Sequence, residues 1–122
     1  MSLEQELFSA LSPLVTSRVY PNTFLQPDGT LPPWPSIRYA IVSNVPEEDL
    51  CGDGDDTTSS VRVQLDVVAS TYASMRTLRL AVMSAMRVLP TPARLQLDFD
   101  EYEAETKTHR SVMTYLIGGS ST

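Results

Sequence analysis

His109 and Cys51 are the residues of this 122-residue chain best suited by type to nucleophilic or metal chemistry, and each is the only one of its kind. A catalytic dyad or triad would need the histidine beside a nucleophile and an orienting acid, but His109 falls at a predicted strand start next to a polar turn. Cys51 lies among carboxylates, which disfavour a reactive thiolate. One cysteine and one histidine cannot build a structural zinc site. We therefore predict no catalytic residue, no metal-ligating residue and no cofactor, with a cation site in the acidic loop described next as an open alternative.

The densest group of carboxylates lies in the predicted loop 46–60, PEEDLCGDGDDTTSS. Its acidic residues are Glu47, Glu48, Asp49, Asp53, Asp55 and Asp56. The tripeptide at 53–55 resembles the beginning of an EF-hand calcium loop, but Thr58 stands where that loop needs glycine and Gln64 where it needs glutamate. Three interpretations of residues 47–56, hereafter the acidic segment, stay open: a solvated loop, a loop that orders on a partner, and a cation site.

A second group of carboxylates lies along the predicted strand 94–104 and in the turn after it: Asp98, Asp100, Glu101, Glu103 and Glu105. Paired carboxylates catalyse glycoside hydrolysis, but this spacing is typical of an exposed strand edge, where charge discourages edge-to-edge pairing. The chain has no glycine-rich phosphate loop, no histidine or cysteine pair at metal-ligand spacing and no nucleophile elbow. We therefore expect a protein that is not an enzyme.

Charge and composition exclude other classes of protein. Fifteen acidic residues oppose nine basic ones, giving a net charge of −6 without any basic tract, which is unsuited to sequence-specific binding of nucleic acid. No apolar run approaches the roughly 20 residues of a membrane helix, and the N-terminal segment has acidic but no basic residues, unlike a signal peptide. From these two observations we expect the protein to fold in a cytoplasm, and the length favours a single domain over residues 1–122.

The clearest structural signal is a change of hydrophobic period within residues 61–89. Apolar residues alternate from Val61 to Val67, which predicts a strand with one buried face. After Ala69 they recur at helical spacing, at Met75, Leu78, Val82, Ala85, Met86 and Leu89. The sequence thus predicts a strand that leads directly into an amphipathic helix, which Ser70 or Thr71 would cap.

The remaining segments complete an α+β domain, an antiparallel or mixed sheet of about four or more strands packed against two helices. The predicted elements are helices at 2–16 and 71–89, strands at 37–45, 61–69, 94–104 and 109–117, and an irregular, proline-rich segment at 17–36. Pro13 is expected to kink the first helix or to end it early, and Pro27-Asp28-Gly29 predicts a turn. In strand 94–104 we expect Leu95, Leu97 and Phe99 to point inward and a bulge to lie near Asp100.

Two further features are candidates for contact with a partner. The helix at 71–89 has a second face, offset from its apolar stripe, that mixes Arg76, Leu80, Met83 and Arg87. Arginine and methionine are favoured at protein interfaces, although arginine stems also cover apolar neighbours on ordinary surfaces. Trp34, within a run of prolines, is expected either to cover the core or to anchor a partner.

The order of these motifs resembles the phage tail-completion family, which includes the tail terminators of long-tailed phages and prophages. The resemblance begins with the amphipathic segment LEQELFSALSPLV and the motif Arg18-Val19-Tyr20-Pro21. It continues through LPPWPSIRY, at 31–39, to VQLDVVASTY, at 63–72, which is its most specific part. A closing hairpin, LDFDEYEAETKTHRSVMTYLIG, completes the pattern over nearly the whole chain.

This resemblance implies a virion protein without catalysis that forms a ring, commonly hexameric, on the end of the tail tube. Its partners would be copies of itself, the major tail tube protein and head–tail connector proteins, and it would be assembled in the bacterial host cytoplasm. The acidic segment of one subunit could meet the Arg76, Leu80, Met83 and Arg87 face of the next, or it could line the lumen and repel DNA. The alternatives are a head–tail connector component and, from another class, a small ligand-binding regulatory domain.

Overall fold

The computed structural model describes residues 3–45 and 60–118. The described elements are helix α1 (Leu3–Leu11), a 3-10 turn (Ser12–Leu14), strands β1 (Val19–Pro21), β2 (Ser36–Val45) and β3 (Ser60–Ala69), helix α2 (Tyr72–Arg87), and strands β4 (Ala93–Glu103) and β5 (Thr108–Gly118). They form a two-layer α+β fold, as the sequence predicts. The acidic segment and Cys51 lie outside the described residues.

The five strands form one mixed sheet in the order β1-β2-β3-β5-β4. The predicted hairpins β2–β3 and β4–β5 are confirmed, and β3 pairs antiparallel with β5 to join them. The prediction for 17–36 is wrong in one respect, because Val19–Pro21 forms a short strand parallel to β2. A strand of three residues is too short to show the alternation from which strands are predicted.

Pro13 ends the first helix early, as predicted. The α-helix stops at Leu11, and Pro13 lies in the first positions of the 3-10 turn that follows, where a proline's missing N–H costs no helical hydrogen bond. The buried side chains Leu7 and Leu11 hold this helix on the core. The predicted turn at 27–29 is also present: Gly29 adopts a φ of 85°, and the Thr30 amide donates to the Asp28 carboxylate at 3.0 Å.

The strand and the helix predicted from the change of hydrophobic period within residues 61–89 pack on one core. Val63, Leu65 and Val67 are fully buried on the helix side of β3. The stripe on α2 packs against them through the buried residues Met75, Leu78, Val82 and Met86, and Leu89 follows just beyond the helix. Burial of large apolar side chains is the main source of stability in such a domain.

Thr71 is the N-cap of α2, since its Oγ1 accepts a hydrogen bond from the Ser74 amide at 3.1 Å. We expect Thr71→Ala to lower the free energy of unfolding by about 1 kcal/mol, because that amide loses its acceptor. Urea unfolding of the variant measures the loss. Ser70→Ala is the matched control, and an equal effect of the two substitutions would contradict this assignment.

A β-bulge in β4 lies between Leu95 and Leu97, not near Asp100. The extra residue, Gln96, changes the alternation of the strand, because each further residue moves to the opposite face. Leu95 therefore packs against the core, whereas Leu97 and Phe99 are exposed on the face away from the helices. The prediction that all three point inward is correct for Leu95 alone.

The Tyr39 side chain links β2 to α1, because its hydroxyl donates to Glu4 Oε1 at 2.9 Å. Burial and this hydrogen bond to a carboxylate raise the pKa of Tyr39 to about 12. A pKa raised on folding gives stability that is present below the ordinary value near 10 and is lost as the pH rises to about 12. We expect the free energy of unfolding to fall across this range, and to fall less in Tyr39→Phe. Urea unfolding of both proteins at about pH 9 and about pH 11 tests this. An equal fall in the free energy of unfolding between the two pH values in both proteins would contradict it.

Candidate interaction surface

On the offset face of α2, some residues make contacts within the subunit and others are exposed to solvent. Arg76 Nη1 lies 3.3 Å from Asp100 Oδ2, and the next turn repeats the pattern with an ion pair between Arg79 and Asp98. Met83 is partly buried against the core. Leu80 is 59% exposed, and Arg87 is also exposed. Arg76 and Met83 thus make contacts within the subunit, and Leu80 and Arg87 are exposed. A contact of any of the four with a partner stays a prediction.

These ion pairs correct the interpretation of the carboxylates on β4. β4 is an edge strand, as predicted, but the bulge at Gln96 turns Asp98 and Asp100 towards α2. Their charges are therefore matched by helix arginines across the surface of the sheet. The Arg76–Asp100 pair is a third or more exposed on both sides and contributes about 0–1 kcal/mol, whereas the Arg79 side chain is only 13% exposed. Both pairs join α2 to β4.

A groove of about 280 Å³ runs between the C-terminal half of α2 and the first residues of β4. Its lining includes Met83, Leu95 and Tyr115, with Arg87 on the helix and Arg94 on the strand. Burial raises the pKa of Tyr115, and the nearby Arg79 and Arg87 charges oppose that rise. In the described part of the chain no carboxylate forms an ion pair with Arg87 or Arg94. The groove therefore combines an apolar floor with the Arg87 guanidinium. Arg94 pairs with Leu116 between the inward-facing Ala93 and Leu95, so its side chain lies on the opposite face of the sheet.

The opposite face of the sheet carries a charged cluster. Asp66 on β3 is 1% exposed and forms an ion pair with Arg38 on β2. Arg110 on β5 lies 3.6 Å from the same carboxylate, and Gln64 Nε2 donates to its other oxygen at 3.0 Å. One buried anion thus holds two arginines, which connects three neighbouring strands.

Trp34 packs within its own loop. Its ring lies 5.2 Å from that of Phe24 in an edge-to-face arrangement, and the Phe24 side chain is buried. Arg38 extends over the Phe24 ring at 5.9 Å, so the loop covers one end of the open sheet face. Trp34 is half-buried there, which agrees with a role in covering the core. A contact between Trp34 and a partner stays a prediction.

His109 lies between two tyrosines, with ring centroids 5.7 Å from Tyr72 and 4.9 Å from Tyr102. It is at the second residue of β5, as predicted for a histidine at a strand start. Over residues 3–45 and 60–118, no group of three or more histidine, cysteine or acidic side chains is placed to hold a metal ion. In the same ranges no helix is long and apolar enough to span a membrane.

Comparisons with known proteins give a family and a fold. A family model described as "Tail completion protein gp17" matches residues 5–118, from within α1 to the end of β5. A search of curated proteins gave no match. Among solved structures, a chain of the "Virion of native gene transfer agent (GTA) particle" superposes with a TM-score of 0.56 at 14% identity, covering 96% of this chain and 93% of that chain. At this identity the likeness concerns the fold alone.

Proposed function

We propose that this chain, which belongs to the tail completion protein gp17 family, is a phage or prophage virion protein that caps the tail tube as an oligomeric ring. The family match over 5–118 carries the proposal. The ring, hexameric in our proposal, would end growth of the tube and present the surface that is joined to the head. Its role would be structural, without catalysis, and its partners would be further copies of the chain, the tail tube protein and head–tail connector proteins.

A closed ring needs two different surfaces on each subunit that fit one another. The charge distribution of the chain supports one such pair. Six of the fifteen acidic residues lie in the acidic segment, which contains no basic residue, so the rest of the chain holds nine acidic and nine basic residues. The whole net charge of −6 is therefore concentrated in one short stretch. The free surface of α2, with Leu80 and Arg87, offers the opposite charge.

The proposal predicts that the purified chain stops the growth of tail tubes. Tube protein from the same phage or prophage is polymerised in vitro with and without the chain, and tube lengths are measured by electron microscopy. We expect shorter tubes that bear a ring at one end, because a capped end has no surface left for the next tube subunit. Tubes of unchanged length without a ring would contradict the proposal. Binding to the head connector without any effect on tubes would favour the connector alternative.

A further inference from the structure

We propose that the sheet face away from the helices pairs with the same face of a second copy of this chain, with Arg94 of each copy against Glu101 of the other. The surface that makes this contact, hereafter the β4 patch, consists of Arg94, Leu97, Phe99 and Glu101. The contact is independent of the proposed ring, because a contact between two identical surfaces closes at two copies.

The register of β4 on β5 places all four side chains of the β4 patch on one face. The cross-strand pairs, in order along β4, are Arg94 with Leu116, Leu97 with Thr114, Phe99 with Val112 and Glu101 with Arg110. The partners are every second residue of β5, so the four pairs form evenly spaced rows on the face that the helices leave uncovered. Each of the four patch residues is exposed.

The β4 patch is self-complementary about its midpoint. Leu97, which is 57% exposed, and Phe99, which is 44% exposed, lie in its centre. Arg94 lies one row beyond Leu97, and Glu101 lies one row beyond Phe99. When two copies meet face to face with antiparallel strands, Leu97 of each copy therefore lies over Phe99 of the other and Arg94 lies over Glu101. Sheets packed face to face are about 10 Å apart, a gap that side chains from both sheets fill together.

Neighbouring charges favour the same orientation. Arg62 on β3 lies in the same cross-strand row as Arg94 and adds positive charge at that end. Glu103 adds negative charge at the other end of β4. Arg110 is also at the acidic end, but its charge is offset by Asp66 Oδ2 at 3.6 Å. The two ends of the patch thus carry opposite charge, and an antiparallel arrangement brings each end against its complement.

Pairing of two β4 edges would not cover the apolar centre of the patch. Leu97 and Phe99 project from the face of the sheet, so a strand added beside β4 would leave both exposed. The bulge at Gln96 also interrupts the backbone pattern of that edge. The proline-rich loop covers the opposite corner of the face, where the Phe24 ring lies 5.9 Å from the Arg38 guanidinium. The contact is therefore face to face and centred on β4 and β5.

Charge reversal tests this contact in solution, without tail tubes. Sedimentation equilibrium of the unmodified chain is expected to show a reversible dimer. Arg94→Glu and Glu101→Arg are each expected to weaken association at least about tenfold, because both contacts in each variant dimer become repulsive. An equimolar mixture of the two variants is expected to restore the dimer, because both contacts are attractive again in the mixed pair.

Matched variants separate the β4 patch from the rest of the surface. Arg87→Glu reverses an exposed arginine on α2 and is expected to leave the dimer unchanged. Leu97→Ser is expected to weaken it at least about tenfold, whereas Leu80→Ser, at a leucine that is 59% exposed, is expected to have no effect.

Four results would each overturn the proposal. They are an unmodified chain that stays monomeric at high concentration, a variant mixture that does not associate, equal losses from Arg94→Glu and Arg87→Glu, and a dimer that survives Leu97→Ser. The last result would assign the contact to the strand edge instead of the sheet face. Because the measurement uses the free chain, none of these results bears on whether the chain caps tail tubes.

Discussion

Asp66→Ala is expected to lower the free energy of unfolding by about 3–5 kcal/mol. Asp66 is almost completely buried on β3 and its carboxylate lies between Arg38 and Arg110, which are themselves only about a quarter exposed. Without the carboxylate, two guanidinium groups on the strands that flank β3 would repel one another with little water to screen them. Urea unfolding at neutral pH measures the loss.

The control for Asp66 is Asp100→Ala, which removes a carboxylate from an ion pair that is a third or more exposed on both sides. We expect a loss below about 1 kcal/mol there, because water and salt screen exposed charges. A triple variant, Arg38→Met, Asp66→Leu and Arg110→Met, should recover most of the stability, since an apolar cluster has no charge to desolvate. Equal losses in the free energy of unfolding from Asp66→Ala and Asp100→Ala would show that burial does not decide how much the Asp66 cluster contributes to stability.

Leu78→Ala is expected to lower the free energy of unfolding by about 2–4 kcal/mol, because it opens a cavity between α2 and the sheet. Leu80→Ala removes the same atoms from the same helix two residues later. Leu80 is 59% exposed and Leu78 only 8%, so we expect a change within about 0.5 kcal/mol for Leu80→Ala. Denaturant unfolding of the two variants compares them directly, with helix propensity held constant.

Leu80→Ala also separates folding from assembly. If Leu80 belongs to the contact between subunits, the variant should unfold like the unmodified chain and yet cap tail tubes less efficiently in the length measurement. A large loss of stability for Leu80→Ala would instead place this side chain in the core. That result would contradict the division of α2 into a buried stripe and an exposed face.

The predictions that the structure confirms depend on local patterns. The alternation from Val61 to Val67 and the helical spacing after Ala69 locate β3 and α2, because a strand and a helix turn a side chain by different angles at each residue. Thr71 marks a helix start through a local hydrogen bond to the Ser74 amide, and Pro13 marks a helix end because it has no N–H to donate. The pairing of β4 with β5 follows from the short connection between them, and β2 pairs with β3 as the next strand along the chain.

The errors in the predicted sheet have a common origin in contacts between distant segments. The bulge at Gln96 depends on how β4 pairs with β5, and Gln96 Oε1 accepts from Arg62 Nε on β3 at 3.2 Å. Such an interaction leaves no trace in the order of apolar residues along β4. The short strand β1 likewise exists because its backbone pairs with β2, and the Ile37 amide donates to the Arg18 carbonyl at 2.9 Å.

The candidate surface likewise depends partly on local sequence patterns and partly on contacts between distant segments. The sequence alone determined the α+β class, the buried stripe of α2, the concentration of negative charge in the acidic segment and the family resemblance, since each is a property of residue type and spacing. Only the tertiary structure decided that Arg76 pairs with Asp100, that Met83 packs inward, and that Arg38 and Arg110 share the Asp66 carboxylate. The Asp66 cluster is absent from the predicted sites because its members lie on three different strands. Their proximity arises from the pairing of β3 with β2 and with β5, and no periodicity within a single element can encode a distance between two of them.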